Sequence, residues 1–349
     1  MKDSQSSQKK QRKFIKKKPT HKHPQASLIK KEHKQGSSRS LKTIFNKYAN
    51  DILLLFIPVG LFFIFFILIL INNHFLKEIY ATQIPTYITT SKINPYPYVG
   101  EIPLLPLSAK SAIVVDADSQ VAVFSKNSHL LFPMASTAKI MTALTALDYY
   151  KDNSILTIQT SGVEGSTIGL QLGDKFYFED LLYAMLLPSA NDAAMAIADN
   201  YLGGKDSFVA AMNEKAQVLH MVSTRFSDPT GLDDDHNYTN VVDMARLASV
   251  AIKNNKLSQI TGTKQKIVTN LDGSKNFSLF NLNKLLGING VTGIKTGTTE
   301  GAKEVLVTSA VRNDHTFIII VMNSEDRFGD TQTLLNFIDQ RVQFVDPNK

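Results

Sequence analysis

Apolar residues are distributed in three distinct ways along this chain of 349 residues. Across residues 52–71 they form an unbroken run without a charged residue, and only Pro58 and Gly60 dent its helical character. A helix of about twenty such residues crosses roughly 30 Å of hydrocarbon. A helix packed in a protein core seldom stays apolar on every face for that length, so the pattern predicts a transmembrane helix over 51–72. A cleaved signal peptide is the competing reading. Its apolar stretch would be shorter and a small-residue cleavage site would follow; here Asn72-Asn73-His74-Phe75-Leu76-Lys77 follows instead. The expectation is an uncleaved anchor.

The second distribution is sparse. Residues 1–50 are dominated by Lys, Ser, Gln and His and hold too few apolar side chains to offset chain entropy, which predicts a disordered tail. Over 73–107 Pro85, Pro95, Pro97, Pro103 and Pro106 lie among polar and aromatic residues, the composition of an extended stalk without a catalytic role.

The third distribution, over 108–345, has the short periods of a folded domain. Residues 112–115 and 121–124, parted by a turn at 116–120, read as a hairpin of buried strands. After Pro133, the residues Ile140, Met141, Leu144 and Leu147 fall on one helical face. Further helices are predicted at 178–187, 191–200, 205–219 and 241–253, strands at 293–298, 305–311 and 316–322, and a closing helix at 330–342. Strands at both ends with helices between them predict an α/β (α+β) fold, in which one antiparallel sheet is flanked by helices.

Charge sharpens this division. Residues 1–50 carry fifteen Lys or Arg against Asp3 and Glu32, a net +13, and the remainder carries −6, although the whole chain is +7. Positive charge on the N-terminal flank predicts a cytoplasmic N-terminus and an extracytoplasmic domain, with residues 52–71 in contact with membrane lipid. The clusters at Lys9-Lys10-Gln11-Arg12-Lys13 and Lys16-Lys17-Lys18 could meet nucleic acid or acidic lipid. A solvated tail that sets topology is the simpler reading, and no nucleic-acid partner is expected. The chain has no Cys, which excludes disulfides and thiolate metal sites. His220 and His236 lack a ligand pair and read as structural or exposed, so neither metal nor cofactor is expected.

Three patches in the domain carry chemistry. Ser136-Thr137-Ala138-Lys139 lies on what reads as the first turn of a helix, where a spacing of three puts both side chains on one face. Lys139 can then take the Ser136 proton if it is neutral, which requires burial or a neighbouring cation such as Lys295. Ser189-Ala190-Asn191 and Lys295-Thr296-Gly297 follow in that order. Together they supply a nucleophile, a base, a proton relay and an anion clamp. Ser-x-x-Lys also begins at Ser6, Ser7 and Ser27, but those copies lie in the predicted tail. Each patch has a plainer reading: a capping serine at Ser136, a loop-to-helix cap at Ser189 and Asn191, a solvated strand lysine at Lys295.

The order Ser136-x-x-Lys139, Ser189-x-Asn191, Lys295-Thr296-Gly297 resembles the penicillin-recognising serine enzymes, and within them most closely the low-molecular-mass D-alanyl-D-alanine carboxypeptidases of peptidase family S11. Matching blocks extend from about 107 to 338 and include Leu187-Pro188-Ser189-Ala190-Asn191-Asp192-Ala193-Ala194 and Asp228-Pro229-Thr230-Gly231-Leu232. The resemblance implies a β-lactamase/transpeptidase-like fold with a five-stranded antiparallel sheet. It also implies a substrate, the peptidoglycan stem peptide ending in D-Ala-D-Ala, with β-lactams as covalent inhibitors. By the same resemblance Ser136 attacks the penultimate carbonyl, Lys139 accepts its proton and Ser189 relays a proton to the leaving amine. Asn191 would hold the peptide amide and keep Lys139 in place. Lys295, Thr296, Gly297 and Thr298 would form the carboxylate clamp and half of the oxyanion hole, with Arg327 assisting or else forming a surface ion pair.

Two departures from the family pattern accompany the match. Gly301-Ala302-Lys303-Glu304 stands where small or polar residues are usual, which bears on specificity at the strand edge. The sequence stops at Lys349, before the second β-rich domain and C-terminal amphipathic anchor of many relatives, so anchoring is expected at the N-terminus. The rival functions are a β-lactamase-like hydrolase, a D,D-endopeptidase and an inactive wall-binding scaffold. A class A β-lactamase would need a Glu-x-x-Leu-Asn type segment between Asn191 and Lys295, and the sequence has none.

Overall fold

The computed structural model describes residues 57–74 and 95–345, which fall into two units. The predicted basic tail, the first residues of the apolar run and the stalk between 75 and 94 lie outside the described residues.

The first unit contributes α1 (Ile57–His74), a helix of 18 residues whose apolar side chains are exposed, Phe62 and Leu61 among them. It is long and apolar enough to cross a membrane, a property shared by anchors and signal sequences.

The second unit begins with β1 (Tyr96–Val99), β2 (Ser111–Asp116), β3 (Ala122–Lys126) and the two-residue β4 (Phe132–Pro133). A 3-10 turn (Ala135–Ala138) then runs directly into α2 (Lys139–Tyr149). The middle of the chain forms β5 (Ile155–Thr157), β6 (Lys175–Tyr177), α3 (Phe178–Leu186), α4 (Asn191–Asp199), α5 (Gly204–Val218), β7 (Tyr238–Thr239), α6 (Val241–Lys253), α7 (Asn255–Thr261), β8 (Gln265–Thr269) and β9 (Asn276–Phe280). The C-terminal part is β10 (Val291–Thr299), β11 (Lys303–Arg312), β12 (His315–Ser324), α8 (Arg327–Arg341) and β13 (Val342–Val345).

The main sheet has five strands in the order β10-β11-β12-β2-β3, and every neighbouring pair is antiparallel. The last long strand of the chain therefore pairs with the first, with Phe317 opposite Asp116 and Met322 opposite Ser111. Successive strand residues point to opposite faces, and here both faces are covered. Ile318, Ile320 and Met322 enter one hydrophobic core with α2, α3, α4 and α6, while Phe317, Ile319 and Val321 enter a second with Leu334, Leu335, Phe337 and Ile338 of α8. Each such side chain contributes about 1.5–3 kcal/mol on burial. Double-sided burial is why these strands read as continuous apolar runs.

The predicted hairpin, helices and C-terminal strands are present with boundaries shifted by a few residues. The closing helix begins at Arg327 and not at residue 330, because the Asp326 carboxylate caps it by accepting the Gly329 N–H at 2.9 Å. The stalk assigned to 73–107 needs correction over 95–107. Tyr96–Val99 pairs with Val342–Val345, and Val99, Leu105 and Leu107 pack into the α8-side core. Pro97 is compatible with this strand because the two-stranded β1-β13 ribbon leaves one edge of each strand unpaired. Helix α7 and the β8-β9 hairpin were not predicted; each strand of the hairpin has five residues and buries one side chain, Val268 or Leu279, too brief a pattern to stand out.

Candidate active site

The candidate nucleophile and base, Ser136 and Lys139, owe their geometry to the 3-10 turn. Ser136 sits in this turn, not within α2 as the sequence suggested, and Lys139 is the first residue of α2. With three residues per turn, side chains at i and i+3 eclipse, which brings Lys139 Nζ to 2.8 Å from Ser136 Oγ. Ala135 enters the turn with φ of 47°, a left-handed conformation unusual for a residue with a side chain. Its carbonyl lies where a Cβ on Gly231 would come within 1.9 Å, and Gly231 itself has φ of 88°. Only glycine fits there.

Lys139 is completely buried and has two further partners, Asn191 Oδ1 at 2.6 Å and the Thr230 carbonyl at 2.8 Å. Both of these oxygens can only accept. A neutral amine would spend its two N–H groups on them and leave its lone pair for the Ser136 hydroxyl. Burial pushes the Lys139 pKa down to about 7, against the opposing pull of Asp228 and Asp192. Of the two causes the sequence allowed, burial or a neighbouring cation such as Lys295, burial is the one at work. Thr230 was not foreseen as a partner, and its only signal was the turn sequence Asp228-Pro229-Thr230-Gly231.

Ser189 occupies the link between α3 and α4 with φ of 67°, and its Oγ is buried without a hydrogen-bond partner among the described residues. An orphaned buried hydroxyl beside Asn191, which itself binds the base, is available to a ligand. Asn191 begins α4. Its Oδ1 anchors Lys139 as expected, but its Nδ2 donates to the Glu164 carbonyl at 2.7 Å and its backbone N–H to Ser166 O at 2.6 Å. One amide hydrogen expected to hold the peptide is thus engaged by the protein. Asp192 ties the same loop down, accepting the N–H groups of Ile168, Gly169 and Leu170.

The opposite wall is β10, an edge strand of the main sheet. Gly297 lets it approach the nucleophile turn: a Cβ there would lie 2.9 Å from Ala135 Cβ and 3.0 Å from the Ser136 nitrogen. Lys295 is 2% exposed and has a single hydrogen-bond partner among the described residues, the Thr296 carbonyl at 2.9 Å. Its pKa is held well below the usual lysine range by burial first, then by Lys139 and Arg327. Thr296 is buried and Thr298 exposed, with Thr298 Oγ1 donating to the Gly297 carbonyl at 2.8 Å.

Arg327 reaches the same strand from the start of α8. Its Nη1 donates to the Gly297 carbonyl at 2.8 Å and to Thr298 Oγ1, while Nε is buried without a partner. No carboxylate forms an ion pair with its guanidinium among the described residues, so the surface ion-pair alternative does not hold. Glu304 instead accepts the Arg327 backbone N–H at 2.9 Å. Among the described residues no carboxylate bonds the side-chain nitrogens of Lys139, Lys295 or Arg327, an arrangement that can receive an anion next to the Ser136 hydroxyl.

The sequence model of the family described as D-alanyl-D-alanine carboxypeptidase, peptidase S11, matches residues 101–326. The chain is 33% identical over 240 residues to D-alanyl-D-alanine carboxypeptidase DacF of Bacillus subtilis, an alignment covering 66% of this chain and 61% of that protein. It is 34% identical over 248 residues to a D-alanyl-D-alanine endopeptidase of Pseudomonas aeruginosa, covering 69% of this chain and 78% of that one. Among solved structures, the Streptomyces K15 DD-transpeptidase superposes with a TM-score of 0.64 at 29% identity, over 68% of this chain and 98% of that one. With its five-stranded sheet and the ordered motifs set around one cleft, the chain belongs to peptidase family S11, the penicillin-binding serine DD-peptidases that act on peptidoglycan.

Proposed function

We propose that this protein is a membrane-anchored serine D-Ala-D-Ala carboxypeptidase that removes the terminal D-alanine from peptidoglycan stem peptides through an acyl-enzyme on Ser136. The observation that carries this reading is the 2.8 Å contact between Ser136 Oγ and Lys139 Nζ, made by a lysine whose burial leaves it largely able to act as a base near neutral pH. Lys295 and Arg327 bind the free carboxylate of the last residue, which places the preceding peptide carbonyl over Ser136. The Ser136 oxygen then forms a bond to that carbonyl carbon as its proton passes to Lys139. The backbone N–H groups of Ser136 and Thr298 stabilise the resulting oxyanion. Ser189, whose hydroxyl has no partner among the described residues, passes the proton from Lys139 to the departing D-alanine amine as the C–N bond breaks. Water then attacks the ester carbonyl as the neutral Lys139 takes its proton, the bond to Ser136 Oγ breaks, and Lys139 returns the proton to Ser136.

The anchor belongs to the same proposal. Helix α1 holds the protein at the cell membrane, the basic N-terminal residues stay on the cytoplasmic side and the domain acts outside on the wall.

The test is D-alanine release from a pentapeptide by the purified full-length chain in detergent, with fluorescent penicillin labelling alongside. Wild-type protein is expected to do both, and Ser136→Ala to lose both by about four orders of magnitude or more. Cleavage confined to cross-linked dimers would convert the reading to an endopeptidase, and sustained turnover of a chromogenic cephalosporin would convert it to a β-lactamase.

A further inference from the structure

The third partner of Lys139 is a backbone carbonyl, and a short turn built around one carboxylate holds it in place. Asp228 Oδ1 accepts the Thr230 N–H at 2.6 Å and the Gly231 N–H at 2.7 Å, and the Thr230 hydroxyl reaches both carboxylate oxygens at 3.1 and 3.2 Å. With its N–H and hydroxyl turned toward Asp228, Thr230 presents its carbonyl to Lys139 Nζ at 2.8 Å. The turn is fastened on either side. Thr142 of α2 donates to the Pro229 carbonyl at 2.7 Å, and Gly231 fits against the Ala135 carbonyl at the mouth of the nucleophile turn.

We propose that Asp228 is a positioning residue for the base: its carboxylate shapes residues 228–231 so that the Thr230 carbonyl holds Lys139 beside Ser136. The same carboxylate opposes the effect of burial on the Lys139 ammonium. The inference rests on the assignment of Ser136 and Lys139 made above. The charged groups around Lys139 are Asp228 on this turn, Asp192 on α4 and Lys295 on β10. Asp192 is committed to four backbone N–H groups, those of residues 168–170 and of Ala193. Asp228 shapes the backbone that directly contacts the amine, so it couples geometry and charge at one atom. A negative charge near an ammonium favours the protonated form. Removing it therefore moves the activity of the neutral base to lower pH.

The experiment is the rate of penicillin acylation of the full-length protein as a function of pH, for wild type, Asp228→Asn and Asp228→Ala, with thermal melting measured for each. Asparagine keeps an acceptor oxygen for the turn and loses the charge. Asp228→Asn is expected to keep its plateau within about threefold of wild type while its acid limb moves to lower pH. Normalised to its own plateau, its rate at the foot of that limb should exceed wild type roughly threefold or more. Asp228→Ala loses the turn as well, so its plateau should fall about tenfold or more. A limb for Asp228→Asn that coincides with wild type, or moves to higher pH, overturns the proposal. So does a loss of melting temperature in both variants with unchanged normalised profiles, since a purely structural residue would behave that way. Wild-type protein that is not acylated at all instead overturns the Ser136 assignment on which the proposal stands.

Discussion

Two buried lysines share the cleft, and their surroundings differ in kind. Lys139, on the helical side, is held by oxygens from three separate segments, at Ser136, Asn191 and Thr230. Lys295, on the edge strand, has only the carbonyl of its own neighbour, with Arg327 close enough to repel it. Both amines are desolvated, but one environment is complete and the other is not. At Lys139 two acceptor-only oxygens take the N–H groups of the neutral amine and its lone pair faces the Ser136 hydroxyl, so burial can strip the proton without orphaning a polar group, which suits a base. The incomplete environment of Lys295 leaves the charged form of the amine without an acceptor, which an arriving anion supplies, and that suits a clamp. Charge alone does not distinguish the two lysines; the number of partners does.

The contrast breaks most visibly at Lys295. Lys295→Ala should lower kcat/KM for a carboxylate-ended pentapeptide about a hundredfold or more, and much less for the same peptide ending in an amide. Equal losses for both peptides would mean that Lys295 does not read the carboxylate. Next in size is the pH response of the wild type. With Lys139 acting in its neutral form, the acylation rate should fall about tenfold for each pH unit below a pKa of about 7 and level off above it. The same shift has a stability consequence of definite sign. Between about 7 and the ordinary lysine value of 10.5 the unfolded chain binds the proton and the folded one does not, so this group makes the fold more stable as pH rises through that window and least stable below it. Chemical denaturation at several pH values checks the sign.

The smallest effect concerns Glu304, which lies opposite Thr298 across the β10-β11 pair and accepts the Arg327 N–H. Its charge raises the Arg327 pKa against the lowering effect of burial and competes with a substrate carboxylate at the clamp. Glu304→Gln should therefore lower KM for the carboxylate-ended peptide about two- to threefold with kcat unchanged. A raised KM would show that Glu304 serves mainly to hold Arg327 in position.

Much of this molecule was legible before any coordinates. The apolar run at 52–71, the paired strand periods at each end of the domain and the order of the three motifs follow from spacing along the chain, because α and β geometry repeat over a few residues. The β8-β9 hairpin escaped because each of its five-residue strands buries a single side chain, too few to set a period apart from its surroundings. The 95–107 segment was misread because its prolines dominate the local pattern, while Val99, Leu105 and Leu107 bury against strands and a helix more than 200 residues away.

In the cleft the division is the same. Motif order and family resemblance single out Ser136, Lys139, Ser189, Asn191, Lys295 and Arg327 as candidate site residues. Tertiary structure decided how far burial lowers the Lys139 pKa, which glycines admit the close approach of β10 and the Asp228 turn, and that a carbonyl at Thr230 completes the cage. Those outcomes depend on desolvation and on contacts among segments near 136, 191, 230 and 297. A pKa set by burial is a property of that convergence, and no local stretch of the chain contains it.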